Sequence, residues 1–131
     1  MNDCVSSTEI RMEFTPTGTS IFVPHRTRAV LTRGLCPVVA VGGAPVARVG
    51  SSGPNDAEHG KPKVGQALAP LSETCVLRSG CDWFLVEGAA IGLLGSRVRV
   101  PDALMDVKNH VLQTDNNWFF VNGEPVVRGR S

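Results

Sequence analysis

The sequence lacks the segments that direct a chain into or across a membrane. Its first residues show no basic start followed by an apolar stretch, so no secretory signal is recognisable. No apolar run approaches the roughly 20 residues that a membrane-spanning helix needs. We therefore expect a soluble chain that is made or assembled in the cytosol. Its 131 residues are the length of a single domain.

The usual motifs of catalysis and cofactor binding are also missing. The sequence has no C-x-x-C pair, which argues against a zinc ribbon and against a thioredoxin-type redox site. The glycine-rich stretch "VGGAPVARVG" does not contain G-x-G-x-x-G, and Glu58-His59 has no second histidine four residues later. No nucleophile and base stand out as a pair. We therefore expect a protein that is not an enzyme.

The distribution of charge and the cysteines limit which partners and which kinds of site we expect. The net charge is +1 and the basic residues are scattered, whereas a nucleic-acid surface needs them clustered on one face. The chain has four cysteines without a secretory signal, so thiols or metal ligands are favoured over disulfides. These cysteines are Cys4, Cys36, Cys75 and Cys81.

The sequence does contain a short motif that is repeated three times. "WFLVEG" and "WFFVNG" end in Gly88 and Gly123, and a fainter copy, "PVVAVGG", ends in Gly43. Aligned on these glycines, the copies are offset by 88 − 43 = 45 and 123 − 88 = 35 residues. Other positions then coincide in columns: Leu31/Val76/Val111, Val41/Val86/Val121, Val46/Ile91/Val126, Arg48/Leu93/Arg128 and Ser51/Ser96/Ser131. Such regularity indicates one supersecondary unit per copy, at about residues 31–51, 76–96 and 111–131.

Each unit is predicted to be a β-hairpin. Asn122-Gly123 and Gly42-Gly43 suit a two-residue turn, which requires positive φ at both positions. Glu87 disfavours positive φ, so we expect a turn one residue longer there. Three such hairpins around a common axis can bury one another's apolar faces, which predicts an all-β body with pseudo-threefold symmetry.

The remaining segments are predicted to be less regular. Residues 52–74 are rich in Gly, Pro and Ser and are predicted to be a loop insertion. Pro101 suits the first position of a short helix between the second and third units. Residues 1–29 show no repeat and are interpreted as an N-terminal arm, which either joins the repeat body at 30–131 or clasps a partner.

"GGAPVARVGS" at residues 42–51 resembles the proline-alanine-alanine-arginine (PAAR) repeat family. "NGEPVVRGRS" at 122–131 matches less closely, and "EGAAIGLLGS" at 87–96 lacks both the proline and the arginine. The resemblance covers roughly residues 30 to 131. It implies a small cone of three β-hairpin repeats with glycine-rich loops, which caps a homotrimeric β-helical spike and helps pierce the target cell envelope. It also implies a metal ion held by His and Cys near the vertex.

The candidate metal ligands are Cys75, His110, His59 and His25. Cys75 and His110 share a column, since 110 − 75 = 35, and the first unit's counterpart is Val30, which cannot ligate. His59 lies in the insertion, where the family often carries a His-Gly, and His25 could supply the fourth position. A Cys/His₃ set suits one tetrahedral zinc ion, and iron fits the same donors less well. In the alternative interpretation Cys75 is an ordinary buried thiol and His59 is a solvated loop residue.

The aromatic phrases have two interpretations as well. Both strands are apolar on each face, so one face could pack inside the body while the other meets the spike. In that case Trp83, Phe84, Trp118 and Phe119 bind the partner. In the alternative they belong to core strands that are covered on both sides.

Two further alternatives stay open at the level of the sequence. Cys36 and Cys81 share a column, since 81 − 36 = 45, and form either a disulfide or two buried thiols, while the role of Cys4 is undetermined. The whole chain is either the spike tip described above or a small β-barrel or sandwich domain that binds protein, with buried thiols and no metal. Because the third unit leaves no room for a toxin domain, we expect a monomeric cap on a phage tail, assembled in the host cytoplasm, with the tip of a type VI secretion needle as the alternative.

Overall fold

The computed structural model of the chain describes residues 2–54, 66–67, 74–99 and 111–130, with the backbone alone at residues 7–12, 25, 27, 66 and 67. All regular secondary structure in these residues is β-strand, which confirms the all-β prediction. The strands are β1 (Cys4–Phe14), β2 (Ser20–Ala29), β3 (Ala40–Val41), β4 (Ala44–Pro45), β5 (Ser52–Pro54), β6 (Gln66–Ala67), β7 (Thr74–Leu77), β8 (Cys81–Val86), β9 (Ala89–Ile91), β10 (Val98–Arg99), β11 (Val111–Gln113), β12 (Phe120–Val121) and β13 (Glu124–Pro125). Within the described ranges no helix is long and apolar enough to cross a membrane. The helix predicted from Pro101 lies outside the described residues.

The segment interpreted as an arm is a long antiparallel hairpin of β1 and β2. Its register runs from the pair Val5–Ala29 to the pair Phe14–Ser20 at the turn. Strand β1 also pairs with β11 near its start and with β6 near its end. Val5 and Ala29 are buried in the core, so the base of this hairpin is part of the body.

A second sheet has the strand order β10–β7–β5 and is antiparallel throughout. Strand β7 is central, with Val76 opposite Ser52 of β5 on one side and Leu77 opposite Val98 of β10 on the other. Residues 52–54 and 66–67, both within the predicted insertion 52–74, therefore form strands. Thr74, the last residue of the predicted insertion, begins β7, and the other residues of the insertion lie outside the described ranges.

Three two-stranded hairpins, β3–β4, β8–β9 and β12–β13, occupy the positions of the three sequence units. Every one turns through two residues with positive φ, as predicted for the first and third units. The longer turn expected at Glu87 was wrong, because Val86 pairs directly with Ala89 and Glu87 adopts a φ of 49°. The hairpin register therefore outweighs the local preference of a glutamate. The other φ values are 59° and 79° at Gly42 and Gly43, 83° at Gly88, and 53° and 79° at Asn122 and Gly123.

Isolated β-bridges link the three hairpin units in a cycle. Each bridge joins the Arg48/Leu93/Arg128 column of one unit to the Val46/Ile91/Val126 column of another. The bridges are Arg48–Ile91 from the first unit to the second, Leu93–Val126 from the second to the third, and Arg128–Val46 from the third back to the first. The three units thus contact one another in a closed cycle, and each unit uses the same two positions.

A ring of three backbone hydrogen bonds lies between those two columns. The N–H of Gly92 donates to the carbonyl of Ala47 (2.8 Å), that of Val127 to Gly92 (3.0 Å), and that of Ala47 to Val127 (2.9 Å). A second set joins the same pairs of units in the opposite donor direction: the N–H of Val49 donates to the carbonyl of Ala90 (2.9 Å), that of Leu94 to Pro125 (3.0 Å) and that of Gly129 to Pro45 (2.9 Å). The inter-unit hydrogen bonds therefore use equivalent atoms in all three units.

The buried apolar residues form two clusters. The hairpin cluster is drawn from repeat columns, with Cys36, Val41, Val46, Cys81, Val86, Ile91, Leu93, Val121 and Val126 all buried. The basal cluster combines the N-terminal hairpin with β7 and the ring residues, and consists of Val5, Ala29, Leu31, Ala47, Cys75, Leu77, Leu112 and Val127. Equivalent positions thus supply most of the first cluster, as the repeat predicts.

One predicted column requires a shift of one residue in the first unit. Val111 is 53% exposed, whereas Leu31, Leu77 and Leu112 are all buried. The carbonyls of Leu31 and Leu77 accept equivalent hydrogen bonds, from Arg130 N–H (2.8 Å) and Gly50 N–H (2.9 Å). The buried column is therefore Leu31/Leu77/Leu112. With this shift, Ala29 rather than Val30 corresponds to Cys75.

Candidate functional site

The two motif arginines each reach across to the next hairpin. Arg48 Nη1 lies 3.1 Å from the carbonyl oxygen of Glu87 and 3.5 Å from that of Val86. Arg128 Nη1 lies 3.3 Å from the carbonyl oxygen of Val41, the counterpart of Val86. These arginines therefore satisfy carbonyls at the hairpin turns, and they connect the first unit to the second and the third unit to the first.

The second unit has leucine in this column and makes its connection differently. Leu93 is buried in the hairpin cluster and has no polar group to offer. Instead, Glu124 of the third unit accepts a hydrogen bond from Gly95 N–H through Oε1 at 2.8 Å. All three junctions between hairpins are thus held by a polar side chain as well as by backbone.

The backbone N–H groups of the same column are capped by side-chain oxygens. Ser51 Oγ accepts from Arg48 N–H at 3.0 Å, and Ser96 Oγ accepts from Leu93 N–H at 2.9 Å. In the third unit the acceptor comes from the N-terminal strand, because Asp3 Oδ2 accepts from Arg128 N–H at 2.8 Å. Asp3 thus occupies the place that a serine holds in the other two units.

Asp3 and Arg128 form a buried ion pair. Nη2 and Nε of Arg128 donate to the two carboxylate oxygens of Asp3 at 2.7 and 3.1 Å, and Nη2 also contacts Asp115. Burial alone would raise the pKa of Asp3, but hydrogen bonds from Arg128 and Thr114 outweigh it and hold that pKa below 3.8. The same hydrogen bond to Asp3 raises the pKa of Arg128. Both groups are therefore charged at neutral pH.

Of the predicted metal ligands, the structure describes one side chain. Cys75 lies on β7 with its side chain fully buried in the apolar basal cluster. His59 and His110 are outside the described residues, and His25 is described only as backbone of β2, opposite Glu9. In the described part of the chain no three His, Cys, Asp or Glu side chains converge on one point. The surroundings of Cys75 that are described fit a buried thiol, and the Cys/His₃ set stays a prediction.

The four cysteines are all among the described residues, are all buried, and form no disulfide. Cys36 and Cys81 occupy equivalent positions in the hairpin cluster. Asn116, the third member of their column, donates through its side-chain amide to the carbonyls of Phe119 (2.8 Å) and Val126 (3.0 Å). The column is thus a packing position in all three units.

The aromatic phrases form an exposed surface that we call the apolar belt, defined as Val38, Ala40, Trp83, Leu85, Trp118 and Phe120. Val38, Trp83 and Trp118 belong to one repeat column and are 73%, 69% and 64% exposed. Ala40, Leu85 and Phe120 belong to another column and are also exposed. The interpretation of a strand covered on both sides does not hold for these residues in the described structure.

The two phenylalanines predicted to bind a partner support the belt from beneath. Phe84 and Phe119 are half-buried against the hairpin cluster, and their rings meet edge to face with centroids 6.4 Å apart. Each also contacts the tryptophan beside it, with centroids 6.2 Å apart at Trp83 and 6.0 Å at Trp118. The sequence interpretation missed Val38, Leu85 and Phe120, although the same columns would have identified them.

Comparison of the chain with known protein families, with curated proteins and with solved structures finds no match. The geometry nevertheless separates two kinds of feature. Asp3, Arg48 and Arg128 are buried or engaged with backbone and hold the hairpins together. The apolar belt, in contrast, exposes large side chains at equivalent positions and can bury them only against another molecule.

Proposed function

We propose that the chain caps the end of a homotrimeric protein, as the tip of a spike in a contractile phage tail or a related secretion needle. The observation that carries this proposal is the recurrence of the apolar belt in units whose bridges and hydrogen bonds follow a closed cycle. One chain with three similar faces can contact the threefold end of a trimer without breaking its symmetry. The pseudo-threefold cone of hairpins is part of the same proposal.

The composition of the belt favours protein as the partner. Tryptophan and phenylalanine are enriched where proteins bind one another, because they bury a large area and lose little conformational freedom. Trp83 and Trp118 already contact Phe84 and Phe119 edge to face, so the exposed rings are part of one aromatic surface. A cap of this kind needs no catalytic side chain, since its task is to transmit force to a small area of the target envelope.

A resident metal ion belongs to the proposal through the resemblance to the PAAR family. Cys75 would be the thiolate ligand, with His110, His59 and His25 as the imidazole donors of a zinc site, or less favourably an iron site. The metal would supply a cross-link between segments distant in sequence and so stabilise a small core. It would take no part in a reaction.

A second candidate is supported by the four cysteines, which are all buried and form no disulfide. In that candidate the chain is a small protein-binding β domain with buried thiols and no metal. Metal analysis of the purified protein distinguishes the two. Near-stoichiometric zinc or iron that is lost in a Cys75→Ala, His110→Ala double variant supports the tip, whereas metal-free wild-type protein supports the second candidate.

The docking face is tested by mixing the chain with a trimeric β-helical spike protein encoded beside it and measuring the mass of the complex by light scattering. We expect one chain per trimer. A Trp83→Ser, Trp118→Ser double variant should lose the complex but keep its thermal transition, because both side chains are exposed. Phe22→Ser is the matched control, since Phe22 is 58% exposed but lies on the N-terminal hairpin. Three chains per trimer, or equal binding by the double variant, would contradict the proposal.

A further inference from the structure

Three arginines surround one concavity at the sheet of β7 and β10. Arg78 follows β7, Arg97 immediately precedes β10 and Arg99 ends it, and together with Val98 they line a space of about 590 Å³. The backbone holds them together, because Arg78 N–H donates to the carbonyl of Arg97 at 2.8 Å. Arg97 N–H in turn donates to Ser79 Oγ at 2.7 Å. Their convergence is thus a consequence of strand pairing.

The three arginines of this cluster are exposed, and among the described contacts none of them meets an acidic side chain. Arg78, Arg97 and Arg99 take part in none of the ion pairs or side-chain hydrogen bonds of the described structure. Arg48 and Arg128, by comparison, are fully engaged with carbonyls and carboxylates. Three neighbouring positive charges repel one another, and an anion bound between them would relieve that repulsion.

A second depression of about 530 Å³ adjoins the first and shares Arg78 and Arg97. It adds the Ser79 hydroxyl and one acidic side chain, Asp82, which makes no ion pair with either arginine among the described contacts. Leu85 of the apolar belt lies at its margin and is 58% exposed. A ligand with a phosphate group and an apolar part would therefore meet matching chemistry on both sides.

We propose that this arginine cluster binds a phosphomonoester group, carried either by a lipid headgroup or by a free phosphate compound. Guanidinium forks match the oxygen geometry of phosphate, and three of them favour a dianion over a single negative charge. The net charge of the chain is only +1, so the cluster is a local site and not part of an extended nucleic-acid surface. The site does not require a trimeric partner, so its test can succeed or fail independently of the proposed function.

The experiment measures binding of glycerol 3-phosphate, a soluble phosphomonoester, by calorimetry at physiological salt, where general charge attraction is screened. The test variant is Arg78→Gln, Arg97→Gln, Arg99→Gln. The matched control is Arg26→Gln, Arg33→Gln, Arg130→Gln, which removes three exposed arginines elsewhere. Each variant has 13 − 3 = 10 basic and 12 acidic residues, a net charge of −2. We expect the test variant to lose about tenfold or more in affinity while the control stays near wild type.

Sedimentation with lipid vesicles identifies the source of the phosphate. Neutral phosphatidylcholine vesicles are doped to the same anionic fraction with phosphatidic acid, which is a phosphomonoester, or with phosphatidylglycerol, which is a phosphodiester. Binding to the phosphatidic acid vesicles that the test variant loses assigns the site to a lipid headgroup. Glycerol 3-phosphate binding without vesicle binding assigns it to a free phosphate compound.

Other outcomes overturn the proposal. Equal loss of glycerol 3-phosphate affinity in both variants would show that net charge, not this cluster, is responsible. Equal sedimentation with both kinds of anionic vesicle would contradict the selectivity for a monoester. Duplex DNA that binds more tightly than either phosphate probe, and whose binding both variants lose to the same extent, would contradict it as well. No binding of either probe by the wild type would also end it. Thermal transitions of all variants establish that each one is folded.

Discussion

At the scale of single residues, Asp3 holds the third unit through a contact made from outside that unit. Its carboxylate accepts hydrogen bonds from the backbone N–H, Nε and Nη2 of Arg128. Both side chains are almost completely removed from water. Loss of one partner from such a pair leaves the other charge buried and poorly compensated, which is where the destabilisation comes from.

Replacing Asp3 with asparagine keeps the size of the side chain but removes its charge. We expect the free energy of unfolding to fall by about 3 kcal/mol, the lower end for a broken buried pair, since Asp115 still contacts the guanidinium. Urea unfolding measures the loss. Asp115→Asn is the control, because the Asp115 side chain is 43% exposed and should cost less than about 1 kcal/mol. Equal losses in the two variants would refute this assignment.

The pH dependence of stability has a definite sign at Asp3. Its pKa in the folded protein is below 3.8, so the unfolded chain takes up the proton at a higher pH than the folded chain does. The stabilisation is therefore complete above about pH 5 and is lost as the pH falls through the folded pKa. We expect the difference in unfolding free energy between wild type and Asp3→Asn to be constant near neutrality and to shrink below pH 3.8. A difference that persists undiminished in strong acid would argue against the carboxylate.

At the scale of elements, the three hairpins share one turn geometry but not one turn sequence. Glycine and asparagine adopt positive φ readily, whereas a glutamate at a φ of 49° is in a conformation that L-residues with long side chains avoid. The Glu87 carboxylate lies 3.7 Å from Arg48 and is 39% exposed, so its ion pair offsets little of this cost. The second hairpin is therefore the one with a locally unfavourable turn.

Substituting Glu87 with asparagine should relieve that turn. We expect the unfolding free energy to rise by about 0.5 to 1 kcal/mol, because asparagine tolerates the left-handed conformation better. Thermal or urea unfolding provides the measurement. Glu87→Gln removes the charge but keeps an ordinary long side chain, so it should change stability little. If both variants changed stability by the same amount, the effect would come from the charge and not from the turn.

The sequence could predict those parts of the fold that are encoded locally. The turn residues identified two of the three two-residue turns, and the apolar columns identified most of the hairpin cluster. The N-terminal hairpin escaped prediction because it has no counterpart in the repeat. The role of Asp3 escaped because it depends on a contact 125 residues away in the chain.

The candidate site, too, could be predicted from the sequence only in part. The repeat alignment was sufficient to assign Trp83 and Trp118 to equivalent positions. It could not show that one strand face is exposed, since exposure depends on how the hairpins pack. The shift of one residue in the first unit changed the counterpart of Cys75 from Val30 to Ala29. That shift became visible only through the hydrogen bonds to Leu31 and Leu77. The arginine cluster was not predicted, because its members come from two strands that pair across an intervening hairpin.

At the scale of the whole molecule, the ring of Ala47, Gly92 and Val127 sets how closely the three units approach. A Cβ atom at Gly92 would lie 2.7 Å from Leu77 Cδ2 and 3.0 Å from Val127 Cγ2. Both neighbours are fully buried, so neither side chain can move away freely. Glycine in the second unit therefore gives room to the valine of the third.

Gly92→Ala tests this packing at the centre of the molecule. We expect the unfolding free energy to drop by about 1 to 3 kcal/mol, as for other overpacked cores. Adding Val127→Ala removes one of the two crowded methyl groups, so the double variant should lose less than the sum of the two single variants. Urea unfolding of the four proteins gives the comparison. Strict additivity would mean that Gly92 and Val127 do not compete for the same space.

The closed cycle of contacts also constrains how the molecule is built. The bridge between Val46 and Arg128 joins residues 128 − 46 = 82 positions apart, and such long-range closure is slow compared with forming a hairpin. While the third hairpin is still on the ribosome, the donor at Ala47 and the acceptor at Gly92 have no ring partner. The first and second hairpins can join earlier, but both junctions of the third hairpin, and with them the closed ring, are completed only when that hairpin docks last.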